Sequence, residues 1–560
     1  MIVPMRHLTL LCVSSEGEKT LEALRDLGCV HVDLSGASSS AFAAAKGDLA
    51  QAERAVRILG KAAKEADAVH ADRRFDAVRN ADLVSAVLRA DEECQALADS
   101  AEALRQTVRK YEPYGDFDPV LAKSLLDQGI DLSSVAELPD PLPAERLSET
   151  RRKLVETEAR VSEMKSALAA LNSRVGAILA CYPDLQDRIA FEAARDMLAT
   201  QGGVSWIQGW VPQDAIPKLR AKAVTKSWGV LLRDAEPGEN PPTLIRPPKL
   251  FRPVAALFQG LGIAPAYSEA DVSVPFLCYF SLFFAMLVGD GAYGLIFLAA
   301  TMWGWVRTRP RSGEGHRPRV VRSWLTLMTV FSLATVVWGI LSNTWFGAGI
   351  PACAKWPTVK WLADPSYQNM MLLCFTIGVS HLMIARIWSG VQIINDRTCL
   401  AQFGWAGILL FMYLVTNSIV GIFSGVPQWA YWMFGVSLVL VFGFTLKGHE
   451  LKSRGIELGM LPLNIMSALG DIISYVRLFA VGLASVQVAA NFNNMAVGLA
   501  LPLWIKWLPL VLILLIGHGL NLAMAGLSIL VHAVRLNTLE FSNHKGISWA
   551  GYAFRPFRKN

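Results

Sequence analysis

Apolar and polar positions change their rhythm several times along the chain. Residues 6–13 alternate apolar side chains as a strand does, residues 16–27 repeat at helical spacing, and Gly28 turns the chain into an extended segment at 29–33. This predicts a small strand–helix–strand unit. Beyond a Ser/Ala-rich linker at 35–45, Leu49, Ala52, Val56, Leu59, Ala63 and Ala66 follow steps of three and four. Val87, Cys94, Leu97, Ala101, Leu104 and Val108 then keep heptad-compatible spacing. After a Pro-rich break at 139–143, a matching run follows through Leu154, Thr157, Val161, Met164, Leu168, Leu171, Val175 and Ile178. Two such runs returning on each other from a distal tip predict a long antiparallel coiled-coil arm; the core of an ordinary helical bundle would carry the same spacing. Residues 204–211, 214–226 and 228–232 then read as strand, helix and strand, a second small α/β unit, and 237–253 is too rich in Pro for regular structure.

From Val274 onward the pattern is different. Apolar runs near the length needed to cross a bilayer core of about 30 Å recur near 274–289, 291–306, 322–343, 368–390, 403–423, 427–446, 464–494 and 505–537. The Gly289-Asp-Gly291 break predicts a tight hairpin between the first two. At 1.5 Å per residue the last two runs are roughly 46 and 50 Å long, so they must tilt or project beyond the hydrocarbon.

Composition agrees with this division. The chain has 560 residues, 53% of them hydrophobic, with 17 Trp and a net charge of +6 that averages two unlike halves. Residues 1–270 carry 33 basic and 38 acidic residues, net −5; residues 271–560 carry 20 and 9, net +11. Most of that excess falls in alternate loops: Arg307 to Arg322 after the second run, Arg397 after the fourth with Arg386 near that run's end, Lys447, Lys452 and Arg454 after the sixth, and Lys545 to Lys559 at the end. The loops between them are poor in basic residues, apart from Lys355 and Lys360. The positive-inside rule then predicts eight spans with both termini in the cytoplasm, and an odd number would break the alternation. The start carries no cleavable signal pattern. The expected architecture is multi-domain. A cytoplasmic part covers 1–270, with α/β lobes at 1–40 and 201–235, a helical arm at 41–200 and a linker at 236–270. An all-α membrane domain covers 271–560, its last two helices long and tilted.

Chemistry concentrates at the end of the chain. Arg477 lies deep in the seventh run, where a permanently charged side chain is costly unless it faces a partner, a cavity or an ion path. Within its own bundle, Asp471 or a backbone carbonyl is the nearest candidate partner. Gly470, Ser474, Ala480, Ala484 and Ser485 are small enough to let another helix approach, and Gln487, Asn491 and Asn494 continue with polar groups. In the last run His518, Asn521, Ala525, Ser528, His532 and Arg535 fall at steps of three and four, on one broad helical face. A polar stripe on a lipid-compatible helix suggests a water-filled path.

Other chemistries find no support. The eight cysteines make no Cys-x-x-Cys pair and no zinc-finger spacing, so neither a disulfide framework nor a metal site is expected. There is no phosphate-binding Gly-x-x-x-x-Gly-Lys-Ser/Thr, no His-Glu-x-x-His and no Gly-x-Ser-x-Gly. No cofactor and no nucleic-acid partner are expected, and ATP hydrolysis by this chain alone is excluded.

Six segments carry a resemblance: Met5-Arg-His-Leu-Thr-Leu-Leu11, Gly209-Trp-Val-Pro212, Asn240-Pro-Pro-Thr-Leu244, Phe283-Phe-Ala-Met-Leu-Val-Gly-Asp-Gly-Ala-Tyr-Gly294, Ser474-Tyr-Val-Arg-Leu478 and His532-Ala-Val-Arg-Leu-Asn-Thr-Leu-Glu540. Through them the chain resembles subunit a, also called subunit I, of V-type and archaeal/bacterial A/V-type rotary ATPases. The last two segments are the specific ones.

The resemblance implies a non-catalytic, ion-translocating stator subunit in a membrane, bacterial by expectation. Its partners would be a rotating ring of proteolipid subunits, peripheral stalks, and the central-stalk and nucleotide-binding subunits. It implies that Arg477 faces the ring carboxylate, with Arg535 the second arginine of the path. His532, Gln487, Ser485, Asp471, Glu540, His518 and Asn521 complete the expected proton or sodium path. Ser485 and Ala525 stand where eukaryotic members carry a His and an acidic residue, so the polar lining is rearranged here. The alternative reading is a self-contained secondary transporter with an anion-binding arginine at the midplane; it would often show internal repeats, and none is visible.

Overall fold

A computed structural model of the chain describes residues 2–34, 36–65, 82–128, 139, 141–236, 238–308, 319–349, 367–445, 459–499 and 502–559. The distal part of the expected arm and the basic residues Arg309, Arg311, Arg317, Lys355, Lys360, Lys447, Lys452 and Arg454 lie outside these. The chain forms two compact units. One comprises Met5–Ala235 with Arg555–Asn560, the other Met1–Pro4 with Glu236–Phe554.

The first unit contains the elements β1 (Met5–Val13), α1 (Gly17–Leu27), β2 (His31–Val32), α2 (Ser40–Glu65), α3 (Leu83–Tyr111), α4 (Pro119–Asp127), α5 (Leu147–Ala170), α6 (Val175–Ala180), α7 (Tyr182–Asp196), β3 (Ala199–Gln201), β4 (Val204–Pro212), α8 (Ile216–Lys226) and β5 (Gly229–Asp234). The two α/β lobes expected from sequence are one sheet. β1 pairs antiparallel with β4 from Met5↔Pro212 to Val13↔Val204 and with β5 on its other side, while β2 and β3 occupy the far edge of β4. The physical reason is edge pairing: a lone strand–helix–strand unit would leave most of its ladder groups open, and the distant strands satisfy them. Leu8, Leu10 and Cys12 alternate onto the face covered by Leu21 and Leu24 of α1 and Leu219 and Ala223 of α8. Gly209, within the Gly-Trp-Val-Pro segment, admits no side chain, because a Cβ there would lie 2.4 Å from the His31 carbonyl oxygen.

The end of the chain belongs to this sheet unit. Phe557 is buried in its core, its N–H donates to the Val30 carbonyl at 2.7 Å, and the Arg555 N–H donates to His31 Nδ1 at 3.0 Å. That acceptor exists only on neutral imidazole. Burial pushes the His31 pKa below its ordinary value of 6.5, partly offset by the Asp33 carboxylate. The unfolded segment therefore binds more protons than the folded one, and stability is lost as pH falls below about 6.5 toward the folded value. Hydrogen exchange corrected for intrinsic rate should show the Arg555 and Phe557 amides less protected at pH 5 than at pH 7.5. In His31→Gln this difference should shrink, and equal protection at both pH values in the unmodified protein would exclude the effect.

The Ser/Ala-rich stretch expected to be a linker is instead helical from Ser40. Alanine favours helix intrinsically, the Asp196 carboxylate accepts from the Ser38 and Ser39 N–H groups, and Ser39 Oγ caps the Phe42 N–H at 3.2 Å. Ala52, Leu59, Val87, Cys94, Met164, Leu168, Leu171 and Ile178, all from the heptad runs, bury together. Farther along, Val108, Tyr111 and Leu147 close over Leu154, and Arg105 bridges to Glu158 at 2.5 Å. Helices α3 and α5 thus lie side by side, and α2 and α7 join them toward the sheet.

The second unit contains α9 (Val254–Leu261), α10 (Ser273–Val288), α11 (Gly291–Arg307), α12 (Arg319–Ser342), α13 (Tyr367–Gln392), α14 (Cys399–Ile419), α15 (Gln428–Phe444), α16 (Leu461–Ile473), α17 (Val476–Val497) and α18 (Leu503–Ser528). The Pro-rich stretch before it has little regular structure but is pinned: Thr243 donates its N–H to the Tyr552 carbonyl and its hydroxyl to that of Pro265. Among the described residues five stretches are long and apolar enough to cross a membrane, namely Val321–Ser342, Tyr367–Gln392, Cys399–Ile419, Leu461–Val497 and Lys506–Lys545. The pair α10 and α11 is bent by 119°, and α15 is a shorter apolar helix of 17 residues.

The bend follows from its three residues. Gly289 ends α10 at φ 69°, in the left-handed region, and Asp290 caps α11 by accepting the Ala292 N–H at 2.8 Å. Its other oxygen accepts the Gly347 N–H at 2.8 Å, so a buried carboxylate is spent on backbone donors. Helix α11 returns against α12 through Gly291, Gly294 and Gly339, and Phe276, Phe283, Phe331, Phe375 and Tyr475 fill the centre of the unit.

Candidate functional site

The helix expected to carry Arg477 is interrupted beside it. Between α16 and α17 the backbone tightens, with Tyr475 N–H donating to Ile472 and Arg477 N–H to Ser474 over three residues instead of four. The same Ser474 carbonyl also accepts from Arg477 Nε at 2.9 Å. Across the unit, Arg477 Nη2 donates to Glu540 Oε1 at 2.9 Å, and Arg535 Nε approaches the same oxygen at 3.3 Å. The Glu540 side chain is 5% exposed, Arg477 24% and Arg535 53%, so one buried carboxylate holds two arginines that both retain open edges.

A change of helix type makes this trio possible. After α18 the backbone widens into π-helical turns at Ile529–Ala533 and Leu536–Phe541. On a regular α-helix, residues five apart are separated by about 140° around the axis. In a π turn the hydrogen bond reaches i+5, which brings Glu540 below Arg535.

Asp471, the sequence-based candidate to balance Arg477, has another partner. His544 Nε2 lies 3.0 Å from Asp471 Oδ2, Arg386 Nε donates to His544 Nδ1 at 3.1 Å, and Arg386 Nη1 donates to Gln402 Oε1 at 3.2 Å. These groups line a cavity of about 680 Å³ with Trp405 and Asn464.

His518 and Asn521 form a third cluster with Tyr293 of α11. The Tyr293 hydroxyl lies 2.7 Å from His518 Nδ1 and accepts from Asn521 Nδ2 at 3.1 Å, while His518 Nε2 lies 3.1 Å from Asn493 Oδ1. Asn521 also donates to the Ser485 carbonyl at 2.9 Å, and Ser485 Oγ donates to the Val288 carbonyl at 3.2 Å. His532 is half-buried and its Nδ1 has no hydrogen-bond partner among the described residues; Gln487, Asn491 and Asn494 are exposed. The structure therefore divides the expected stripe. His518 and Asn521 join Ser485 and Tyr293, Ala525 is buried among apolar side chains, and Arg535 joins Arg477 and Glu540.

The sequence assigned no site role to Tyr293, His381, Tyr475 or His544, and Arg386 entered only as a charge near a span end. Tyr475 neighbours Arg477 in the chain and bonds fully buried His381 through its hydroxyl at 2.8 Å; His381 stacks between Tyr279 and Phe541. A polar residue inside an apolar run was the available signal for Tyr293, Arg386, His381 and Tyr475, whereas His544 lies beyond the last run, and only the fold shows which of them meet.

No family model matches the chain. It is similar to a protein named V-type ATP synthase subunit I 1 from Treponema pallidum, at 27% identity over an alignment 642 positions long that covers 100% of both chains. It is 32% identical to the V-type ATP synthase subunit I of Borreliella burgdorferi over 65% of this chain and 62% of that one. It is 26% identical to the A-type ATP synthase subunit I of Methanocaldococcus jannaschii over 75% and 64%. With its apolar helices, its arginine cluster inside the apolar half and a likeness that runs the whole length of the first of these relatives, the chain is a multi-pass membrane protein similar to the subunit I proteins of V-type and A-type ATP synthases.

Proposed function

We propose that this chain is the membrane stator subunit of a rotary ATPase, supplying the two ion half-channels against a rotating ring of carboxylate-bearing proteolipids. The observation that carries this reading is the Arg477–Glu540–Arg535 cluster, two permanent cations with open edges inside the apolar half of the chain. A ring carboxylate facing lipid must be neutral, because an unpaired charge there is prohibitive. Beside Arg477 the ionised form is favoured, so the proton leaves toward one aqueous half-channel. Once past the arginines, the carboxylate is reloaded from the other half-channel before it re-enters lipid. Arg477 also bars a direct leak, since it cannot give up its own proton.

The cavity at Asp471, His544 and Arg386 and the cluster at Tyr293, His518 and Asn521 lie to either side of the arginines along α16–α18, as two half-channels require. The last two spans are the least covered by their own chain. In their apolar windows 28% and 17% of residues are buried, against 56% for Cys399–Ile419, which leaves a broad face for lipid and ring. The tail Arg555–Asn560 and the segment Met5–Ala235 cluster in one unit, which supports a reading in which both ends of the membrane half share one side. This supports an even number of crossings: α12, α13, α14, α15, α16–α17 and α18, plus the hairpin α10–α11 that enters and returns, eight when both its arms span. Basic loops put that side in the cytoplasm, where the helical arm built on α3 and α5 would bind the peripheral stalks. ATP hydrolysis or synthesis belongs to other subunits, and the membrane is that of a bacterium.

Affinity purification of the tagged native chain in mild detergent tests the assignment. Nucleotide-binding subunits and a proteolipid ring should co-purify, and ATP should drive ion uptake once the complex is in vesicles. A chain that purifies alone and transports a solute by itself would overturn the proposal.

A further inference from the structure

Glu540 is an unusual residue for an ion path, because it already has its cations. Its carboxylate is almost fully buried, and one oxygen receives both Arg477 and Arg535. The other oxygen is buried with no hydrogen-bond partner among the described residues. It sits in the apolar stretch Lys506–Lys545, on a π turn whose geometry places it under Arg535. The three side chains together carry a charge of +1, not the +2 that two arginines would present alone.

We infer that Glu540 is a positioning residue: it holds Arg477 extended across the helix break when no ring carboxylate is opposite, and it sets the net charge that an arriving carboxylate meets. This rests on the reading above, in which a carboxylate of a ring subunit passes Arg477. With Glu540 ionised, the arriving carboxylate brings the site to neutrality, two cations with two anions, so it is attracted strongly enough to lose its proton and weakly enough to move on. Without Glu540 the same carboxylate would leave a residual positive charge and be held as an ion pair in a low-dielectric site. The unpartnered oxygen gives Glu540 the acceptor capacity to keep a guanidinium in a second arrangement while the ring carboxylate takes the first. The other ionisable groups near these arginines, Asp471 and His544, are engaged with each other, and His532 on the same turn brings no negative charge, so none of them substitutes for Glu540.

Glu540→Gln, Glu540→Asp and the double variant Glu540→Gln/Arg535→Gln in the assembled complex test this, read as ATP-driven ion uptake by vesicles across a pH series. Glu540→Gln should assemble, and its uptake at pH 7.5 should fall about tenfold. The alkaline limb of its profile should move down by about one pH unit, the counterpart of a tenfold change in proton affinity. Glu540→Asp should keep the wild-type profile, and the double variant, which restores a net charge of +1, should return the limb toward its original position. A wild-type rate and profile in Glu540→Gln would overturn the inference, as would a double variant no nearer the wild-type limb than the single one. If Glu540→Gln does not assemble, Glu540→Asp decides: assembly with an unshifted profile supports a charge role, and failure to assemble marks Glu540 as a packing residue and overturns it. Loss of uptake in Arg477→Ala alongside a normal Glu540→Gln would sink this inference and leave the stator reading standing. Normal uptake in Arg477→Ala would sink the stator reading itself.

Discussion

Arg477→Ala is expected to assemble with its complex and to move no ions against a gradient. Removing one partner of a buried ion pair ordinarily costs about 3–5 kcal/mol, because the other charge is left uncompensated. Here the loss is smaller, since Glu540 keeps Arg535 as a partner through the same oxygen. Folding should therefore survive while transport does not. Without the guanidinium, a ring carboxylate meets no cation at the break between α16 and α17, so it has no reason to ionise there and the barrier between the two half-channels is gone. Lysine should not restore transport. It has a single ammonium where Arg477 spends Nε on the Ser474 carbonyl and Nη2 on Glu540 at once, and it can be deprotonated when buried. ATP-driven ion uptake in vesicles, with the recovered complex as the assembly control, reads both variants. Normal uptake by either would remove the central role given to this residue.

Gly339→Leu is expected to abolish the folded membrane unit. A Cβ at Gly339 would fall 2.2 Å from the Gly291 Cα and 2.3 Å from its nitrogen, so the clash is with the backbone of the facing helix, directly after the hairpin bend. Overpacking a core ordinarily costs about 1–3 kcal/mol when side chains can shift. No side chain can shift here. Parting α11 from α12 would also pull Gly294 off Val336 and disturb the Asp290 cap that holds the bend. The complex should be unrecoverable with Leu and strongly reduced with Ala. Gly435→Ala, in an exposed part of α15 where a Cβ meets nothing within 4 Å, should be neutral or slightly stabilising by helix propensity. Equal recovery of Gly339→Leu and Gly435→Ala would refute the close crossing.

Much of this protein was legible before any coordinates. Period-two and helical patterns located β1, α1, β4, α8 and β5 within a few residues, because each has one face that must be buried. The apolar runs from 274 onward located the membrane half, because lipid demands an unbroken stretch of side chains. The cost of a permanent charge in such a stretch was enough to mark Arg477.

Partnership was not legible. That the two α/β segments share one sheet depends on strands about 200 residues apart satisfying each other's ladder groups, and alternation within a strand says nothing about which strand lies beside it. Asp471 was the nearer candidate for Arg477 along the chain, yet Asp471 meets His544, while the Ser474 carbonyl in the tightened turn accepts both the backbone N–H and the Nε of the arginine. A stripe counted in steps of three and four ends at Arg535 and has no place for Glu540, since only a π turn brings the fifth residue round to the same side. Local periodicity reports how much of each residue must leave water. Which buried charge meets which is decided by where helices break, widen and cross, and those are properties of the packed chain.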